Sequence, residues 1–333
     1  MKGKTWWKWN SVILALSLMF SLFIGVSFTP TTHAAAGTFS EYYYGSNFWF
    51  KVYVPSSYQS GTSVPLMVML HGCLQDPDDF AAGTRMNDLA EEKGFLVLYP
   101  EMNVYSNPNM CWNWFYDYNQ HRASGEPAII KGMVDQVKGA YAIDNNKVYV
   151  AGLSAGAAMA TIMGATYPDV FHGVGVAAGV EYNAANTAGG GITAMSYGGP
   201  SPDSTGYDAY YEMGSNKRRM PVIVFHGTSD SAVAPINATQ VVGQWAQTND
   251  YIDDGSNNDS MNATADSTTS GTVTGGRSYT HYVYKDQNGS GLIEYYKVSG
   301  MEHAWSGGSS NGSYTDPYGP DATRIMWNFF TSH

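Results

Sequence analysis

The sequence contains few cysteines and none of the short motifs that bind metals or nucleotides. Cys73 and Cys111 are its only cysteines, and neither an H-E-x-x-H motif nor a Cys/His cluster accompanies them. Two cysteines alone cannot build a zinc site. A phosphate-binding loop and a dinucleotide-binding fingerprint are also absent from the sequence. We therefore expect no metal ion and no other cofactor.

Positive charge is scarce as well. The chain has 17 Lys and Arg against 28 Asp and Glu, which gives a formal net charge of −11. It also has 25 Tyr and 9 Trp. An acidic, aromatic surface argues against nucleic acid or anionic lipid as a partner. It fits a protein that meets neutral or apolar material, and we expect a monomer.

The N-terminus has the pattern of a secretory signal peptide. Lys2, Lys4 and Lys8 precede an apolar run over residues 12–28, and the small residues Ala34–Ala36 follow. This order of charged, apolar and small residues predicts a signal peptide over residues 1–36. Its removal takes three lysines away, so the formal charge of −11 becomes −14. The alternative is an uncleaved membrane anchor, because the apolar run is somewhat long; cleavage would leave a secreted protein without membrane association.

Residues 37–333 have a length that suits one large α/β domain. Continuous apolar runs typical of buried strands alternate with helical patterns, and these runs cover residues 66–70, 95–99, 148–151, 174–180 and 221–227. The alternation predicts a mostly parallel central sheet with helices on both faces. Ligands of such sheets bind outside the carboxyl ends of the strands.

Two segments lack a regular pattern. Residues 181–217 are rich in Gly, Asn, Ser and Tyr, as expected of an irregular insertion near a binding face, and a role as a lid stays open. Residues 250–276 are Asn, Asp, Ser, Thr and Gly with almost no apolar residue. Such a segment cannot bury a core, so we predict a flexible polar loop within the same fold.

Ser154 is the candidate nucleophile. The stretch KVYVAGLSAGAAMATIMG, residues 147–164, reads as a short apolar strand, then Gly152-Leu153-Ser154-Ala155-Gly156, then a helix rich in Ala and Met. A nucleophilic serine on a sharp strand-to-helix turn needs small neighbours so that strand and helix can approach each other. G-x-S-x-G alone is a weak signal, because an ordinary Gly-rich turn also matches it. The strand, the helix and the small residues together favour the nucleophile.

His303 is the best candidate base and Asp230 the best candidate acid. His303 follows the last core strand in a Gly-flanked loop, whereas His71 and His226 each precede a Gly within a turn and are interpreted as local structural residues. Asp230 comes three residues after Gly227, at the end of an apolar run. Asp208 and Glu302 are the rival acids. Nucleophile, acid and histidine in this chain order is the order of an α/β-hydrolase.

The remaining requirement is a pair of backbone N–H groups for the oxyanion of an acyl-transfer reaction. The N–H of Ala155, directly after the nucleophile, is one candidate. The turn His71-Gly72-Cys73 offers the other, for which we favour Cys73. Export also makes a disulfide between the two cysteines plausible.

The sequence resembles the secreted esterase family of poly(3-hydroxybutyrate) depolymerases. The motifs that carry the resemblance are PLMVMLHGCLQDPDDFAAGTRMNDLAEEKGFLVLYPE, CWNWF, EPAIIKGMVDQV, VYVAGLSAG, HGTSD and MEHAWSGG. They extend from Pro65 to the C-terminus with interruptions. The resemblance implies an α/β-hydrolase with a Ser154–Asp230–His303 triad, a Cys73–Cys111 disulfide beside the oxyanion hole, and hydrolysis of short-chain polyesters or their oligomers.

Some expectations stay open at this point. The chain stops just after its last helical pattern, so we expect no C-terminal polymer-binding domain, which many such depolymerases carry. The same family includes acetyl-xylan and feruloyl esterases, which are the alternative activity. Trp112 and Trp305, with Trp114, flank the motifs and could line an aromatic substrate groove or simply pack in the core. A non-catalytic binding module of the same fold is a further hypothesis, which the complete triad disfavours.

Overall fold

The computed structural model describes residues 37–333. The predicted signal peptide, residues 1–36, lies outside the described residues. Within the described range, no helix is long and apolar enough to cross a membrane.

A ten-stranded sheet forms the centre of the fold, in the order β1-β2-β4-β3-β5-β6-β7-β10-β9-β8. Six neighbouring strands from β4 to β10 are parallel, and two antiparallel strands complete each edge. The prediction of a mostly parallel sheet is confirmed. The strands are β1 (Thr38–Tyr44), β2 (Phe48–Val54), β3 (Val64–Leu70), β4 (Leu96–Pro100), β5 (Ile143–Leu153), β6 (Val174–Ala177), β7 (Val222–Gly227), β8 (Ser267–Thr272), β9 (Ser278–Lys285) and β10 (Gly291–Val298), with a small separate pair, β11 (Trp305–Ser306) and β12 (Thr315–Asp316).

Helices cover both faces of this sheet. In β3, Leu66, Val68 and Leu70 belong to one buried cluster, and Met67 and Met69 belong to another, because successive side chains of a strand point to opposite faces. The first cluster includes residues of α3, α4 and α7, and the second includes residues of α1, α2 and α8. The helices are α1 (Pro77–Thr84), α2 (Met86–Lys93), α3 (Gly125–Ala140), α4 (Ala155–Thr166), α5 (Ala188–Tyr197), α6 (Pro202–Glu212), α7 (Ile236–Asp254) and α8 (Ala322–Thr331).

Residues 250–276 are more ordered than the sequence predicts. Helix α7 continues to Asp254, and the polar segment Ser267–Thr272 forms the edge strand β8 against β9. The buried carboxylate of Asp250 accepts hydrogen bonds from the backbone N–H groups of Asn258 and Ser260, which fixes the connection between helix and strand. Backbone pairing and a buried acceptor therefore replace the missing apolar core.

The insertion at residues 181–217 is also structured. It contains α5 and α6, where the sequence predicts irregular structure. Thr187 caps α5 by accepting the N–H of Gly190, and Pro202 stands in the first turn of α6. Local capping thus offsets the low helix propensity of a Gly-rich segment.

Candidate active site

Ser154 lies on the turn between β5 and α4 in a conformation that non-glycine residues rarely adopt. Its φ is 57° and its ψ is −119°. A Cβ on Gly156 would lie 2.0 Å from the carbonyl oxygen of Leu70, and one on Gly152 would lie 2.3 Å from the carbonyl carbon of Gly156. The small residues around Ser154 are therefore a steric requirement of this turn, and the turn presents the serine beyond the end of β5.

Asp230 and His303 are joined by a hydrogen bond. The Nδ1 atom of His303 lies 2.8 Å from Oδ2 of Asp230. The other carboxylate oxygen, Oδ1, accepts the backbone N–H groups of Ala232 and Val233, each at 2.9 Å. The Asp230 side chain is fully buried, whereas 16% of the His303 side chain is exposed. The carboxylate is thus fixed behind the imidazole, which faces outward.

The loop that carries His303 is held against the end of β7. Ser229 N–H donates to the carbonyl of Met301 at 3.0 Å, and the N–H of Gly300 donates to Oγ1 of Thr228 at 2.8 Å. A Cβ on Gly227 would lie 2.0 Å from the Met301 carbonyl oxygen, so a glycine is needed for this approach. These contacts bring Asp230 and His303, which are 73 positions apart in the sequence, within hydrogen-bond distance of each other.

The environment keeps Asp230 ionised. Burial raises the pKa of its carboxyl, but hydrogen bonds from His226 and His303 outweigh burial and hold that pKa well below its usual value. An ionised carboxylate accepts the Nδ1 proton of His303 and leaves Nε2 free to act as a base.

The turn at residues 71–73 lies beside Ser154. A Cβ on Gly72 would lie 3.6 Å from Cβ of Ser154. Within residues 37–333, the N–H groups of Cys73 and Ala155 donate to no backbone acceptor outside the regular helices and strands. Ala155 is the first residue of α4, where an N–H has no partner inside the helix. Two free donors therefore flank the serine, one on each of the segments that the sequence indicates.

Buried hydrogen bonds fix the 71–73 turn. His71 Nδ1–H donates to the carbonyl of Gly72 at 2.7 Å, and its Nε2 accepts the N–H of Met102 at 3.0 Å. Nε2 can accept the Met102 N–H only in a neutral imidazole, and burial lowers the pKa of His71 to about 4. His71 thus has the local structural role that the sequence suggests.

The loop that follows β4 is fastened to this turn by the Cys73–Cys111 disulfide, which the structure contains. In the first turn of α3, the buried carboxyl of Glu126 accepts the backbone N–H and the side-chain N–H of the loop residue Asn113, at 2.8 and 2.7 Å. Burial raises the pKa of Glu126 to about 7, against the opposing effect of these hydrogen bonds. The disulfide and the buried carboxyl thus hold two neighbouring positions of the loop, Cys111 and Asn113.

Two pockets meet at Ser154. The first, here called the apolar pocket, encloses about 460 Å³ of space, part of it open to solvent, and its walls include Trp114, Phe115, Val180, Gly191, Ile192 and both cysteines. The second, here called the histidine pocket, contains His303, Gly72, Leu153, Ala232 and Tyr314. Cys73, Ser154, Met195 and Val233 belong to both pockets. None of the described residues that line them is Lys, Arg, Asp or Glu.

Trp112 and Trp305, for which the sequence leaves groove lining and core packing open, lie outside the pockets at Ser154. Trp112 is 2% exposed and donates its indole N–H to the carbonyl of His71, and Trp305 is fully buried and donates to Thr323 of α8. Neither belongs to the pockets at Ser154. The structure therefore corrects the groove interpretation in favour of core packing, since both indoles satisfy their polar atom inside the fold. Trp114 is the tryptophan that reaches the apolar pocket.

The rival acids are engaged away from His303. Asp208 accepts a hydrogen bond from the Asn183 side chain at 2.8 Å, and Glu302 is exposed.

The sequence reasoning missed several pocket residues, namely Phe115, Ile192, Met195, Val233 and Tyr314. The position of the 181–217 insertion after a core strand was a usable signal for Ile192 and Met195, and the sequence contains no comparable signal for Tyr314.

A mostly parallel sheet with a serine on a strained strand-to-helix turn, followed in the chain by an aspartate after β7 and a histidine after β10, defines the α/β-hydrolase class. Within that class, the chain belongs to the family described as Esterase PHB depolymerase, whose profile matches residues 49–267. It is accordingly a carboxylic-ester hydrolase.

Known proteins of this kind are similar over most of the chain. Poly(3-hydroxyalkanoate) depolymerase C of Paucimonas lemoignei is 35% identical over 308 residues, which cover 88% of this chain and 67% of that protein. Acetylxylan esterase A of Emericella nidulans is 31% identical over 210 residues, which cover 60% of this chain and 67% of that protein. The solved structure of an acetyl xylan esterase from Aspergillus awamori has a TM-score of 0.66 at 22% identity, covering 80% of this chain and 94% of that one. The structural likeness supports the fold.

Proposed function

We propose that the protein is a secreted serine esterase that hydrolyses short-chain polyhydroxyalkanoate, poly(3-hydroxybutyrate) or its oligomers, through a triad of Ser154, His303 and Asp230. The observation that carries the proposal is the 2.8 Å hydrogen bond between His303 and the ionised Asp230, beside a pocket that Ser154 and His303 share. A serine hydroxyl becomes a useful nucleophile only when a neighbouring base accepts its proton.

In the first half of the reaction, Oγ of Ser154 attacks the ester carbonyl while Nε2 of His303 takes the hydroxyl proton. The N–H groups of Ala155 and Cys73 stabilise the oxyanion, and each such donor typically contributes about 10²- to 10³-fold in rate. His303 then gives its proton to the departing alkoxide. The alcohol half of the chain leaves, and the acyl group remains on Ser154 as an ester.

In the second half, water replaces the alcohol. His303 takes a proton from that water, the hydroxide attacks the acyl-enzyme, and the same two N–H groups stabilise the second oxyanion. Collapse releases the acid, and the proton on His303 returns to Ser154. Asp230 keeps the imidazole in the required tautomer throughout and stabilises its charged form.

The lining of the two pockets supports an uncharged, modestly apolar substrate. Apart from Ser154 and the disulfide, the described residues that line the apolar pocket are apolar or glycine, and none of them is a cation that could anchor a charged group. We assign the acyl group to the apolar pocket and the alcohol side to the histidine pocket, where His303 can protonate it. A poly(3-hydroxybutyrate) strand offers closely spaced neutral esters that suit this arrangement. The similarity to a poly(3-hydroxyalkanoate) depolymerase over 88% of the chain supports the same substrate class.

Secretion of a monomeric catalytic domain is part of the proposal. The signal-like N-terminus and the Cys73–Cys111 disulfide support an oxidising, extracellular location. We also propose that residues 37–333 form one catalytic domain.

The second candidate is an acetylxylan esterase, which the similarity to such an enzyme over 60% of the chain favours. Parallel incubation with amorphous poly(3-hydroxybutyrate), acetyl-xylan and a feruloyl ester, followed by product analysis, separates the candidates. We expect hydroxybutyrate oligomers from the polymer as the main products. Robust release of acetate from xylan without clearing of the polymer would establish the second candidate and refute the first.

A further inference from the structure

A second histidine contacts the carboxylate of Asp230 from inside the protein. His226, near the end of β7, is 1% exposed. Its Nε2 lies 2.9 Å from the carbonyl oxygen of Val233 and 3.3 Å from Oδ2 of Asp230. The sequence indicates only a structural role for this residue, and the reaction steps above do not use it.

The surroundings define the protonation state of His226. Both neighbours of Nε2 are acceptors, so Nε2 carries a proton, which it donates to the Val233 carbonyl while Oδ2 of Asp230 lies 3.3 Å away. Nδ1 is buried and has no hydrogen-bond partner in the described part of the chain. A second proton on Nδ1 would be a buried, unsatisfied donor, which is costly. The N–H of Nε2 is therefore the donor that His226 presents to Val233 and Asp230.

The oxygen that His226 contacts is the one that accepts His303. Oδ1 is already fixed by the N–H groups of Ala232 and Val233, so the orientation of the carboxylate does not depend on His226 alone. Oδ2 faces only two titratable groups within hydrogen-bond distance among the described residues, His226 from β7 and His303 from the loop after β10. With His226 as a second donor at Oδ2, the negative charge of the Asp230 carboxylate is shared between two histidines instead of acting on His303 alone.

We infer that His226 is a positioning residue of the triad. Its Nε2–H keeps Oδ2 of Asp230 close to the Val233 turn, and it weakens the electrostatic attraction between that oxygen and His303. The inference rests on the proposed function. It has two consequences. Loss of the donor frees the Val233 carbonyl and loosens a turn that lines both pockets. It also leaves Oδ2 a stronger partner for the charged form of His303, so a higher pH is needed to generate the free base.

Two amide substitutions separate this role from simple packing. His226→Gln places an amide nitrogen where Nε2 stands, three bonds from Cβ, whereas His226→Asn places one where Nδ1 stands. Both remove the ring and keep a polar side chain. Only Gln can still donate to Asp230 and Val233.

The test is the pH dependence of kcat/KM with p-nitrophenyl acetate, together with thermal unfolding of each variant. We expect His226→Asn to lose about 10- to 100-fold in kcat/KM, and the acid limb of its profile to move up by about half a pH unit or more. His226→Gln should stay within about threefold of the wild type with its acid limb unmoved. His226→Leu serves in place of Asn if that variant does not fold.

Equal losses in the Gln and Asn variants, in proportion to their stability and with unshifted profiles, would refute the inference. Failure of both Asn and Leu variants to fold would also refute it, because His226 would then be a folding residue. Neither result affects the proposed function. That function fails separately if Ser154→Ala keeps its activity in the same assay.

Discussion

The indole Nε1–H of Trp112 donates to the backbone carbonyl of His71 at 3.1 Å. This bond ties the loop that follows β4 to the turn that carries the candidate oxyanion donor of Cys73. The Cys73–Cys111 disulfide connects the same two segments a few residues away. The turn is thus held by a buried polar contact and by a covalent bond.

Reduction of the disulfide should lower activity before it unfolds the domain. The cysteines are 38 positions apart, and the chain-entropy model gives a loop of that length a stabilisation on the order of 4 kcal/mol. The first effect, however, is loss of the brace on the 71–73 turn. Turnover and near-UV circular dichroism followed together during reduction test this order. Simultaneous loss of both signals, or free thiols in the native secreted protein, would contradict it.

Acid should destabilise the protein through His71. Burial lowers the folded-state pKa of His71 to about 4, whereas the unfolded chain binds this proton near the ordinary value of about 6.5. The stabilisation is therefore complete above about pH 6.5 and is lost as the pH falls towards 4, by on the order of 3 kcal/mol. Denaturant unfolding of the wild type and His71→Gln between pH 7 and pH 4 isolates this contribution. An identical pH dependence in both proteins would show that His71 does not supply it.

Asp230→Asn should reduce turnover by roughly 10³- to 10⁴-fold, because an amide favours the wrong tautomer of His303. The matched control is Asp208→Asn, since Asp208 contacts Asn183 instead of His303. We expect the control to change turnover by less than about twofold. Steady-state kinetics with a p-nitrophenyl ester measures both variants, and the opposite ranking would assign the acid to Asp208.

Met195→Ala should shift the acyl-chain preference towards longer esters. Met195 belongs to both pockets, so its truncation enlarges the space next to Ser154. The ratio of kcat/KM for p-nitrophenyl hexanoate over acetate should rise by about three- to tenfold. Tyr197→Ala is the control, because Tyr197 lies on the same helix but is 82% exposed and outside both pockets. Equal changes in the two variants would contradict the assignment of the acyl group to this pocket.

The sequence predicts those parts of the site whose structure depends on neighbouring residues in the chain. The strand, glycines and helix around Ser154 indicate the turn, and the strand ends before Asp230 and His303 indicate that the two side chains approach one another. The sequence does not reveal which side of a segment faces the pocket. Trp305 lies within the motif MEHAWSGG yet bonds to Thr323 on α8, a contact that only the tertiary fold creates.

The sequence also does not predict secondary structure in segments that lack hydrophobic periodicity. The sequence Ser267–Thr272 has no apolar side chain, and β8 forms because its backbone pairs with β9. Helix α5 contains three consecutive glycines, and a cap at Thr187 together with close packing of Gly191 against Phe115 supports it. Composition alone does not reveal such partners, so these two elements could not be predicted.

Covalent labelling of Ser154 tests the central claim most directly. The protein is incubated with a fluorophosphonate, and intact mass and peptide mapping are recorded for the wild type and Ser154→Ala. We predict one adduct per wild-type molecule, on Ser154, no adduct on the variant, and a loss of turnover of roughly 10⁴- to 10⁶-fold in the variant. Labelling of Ser154→Ala, or retention by it of more than about a tenth of wild-type turnover, would contradict the serine mechanism.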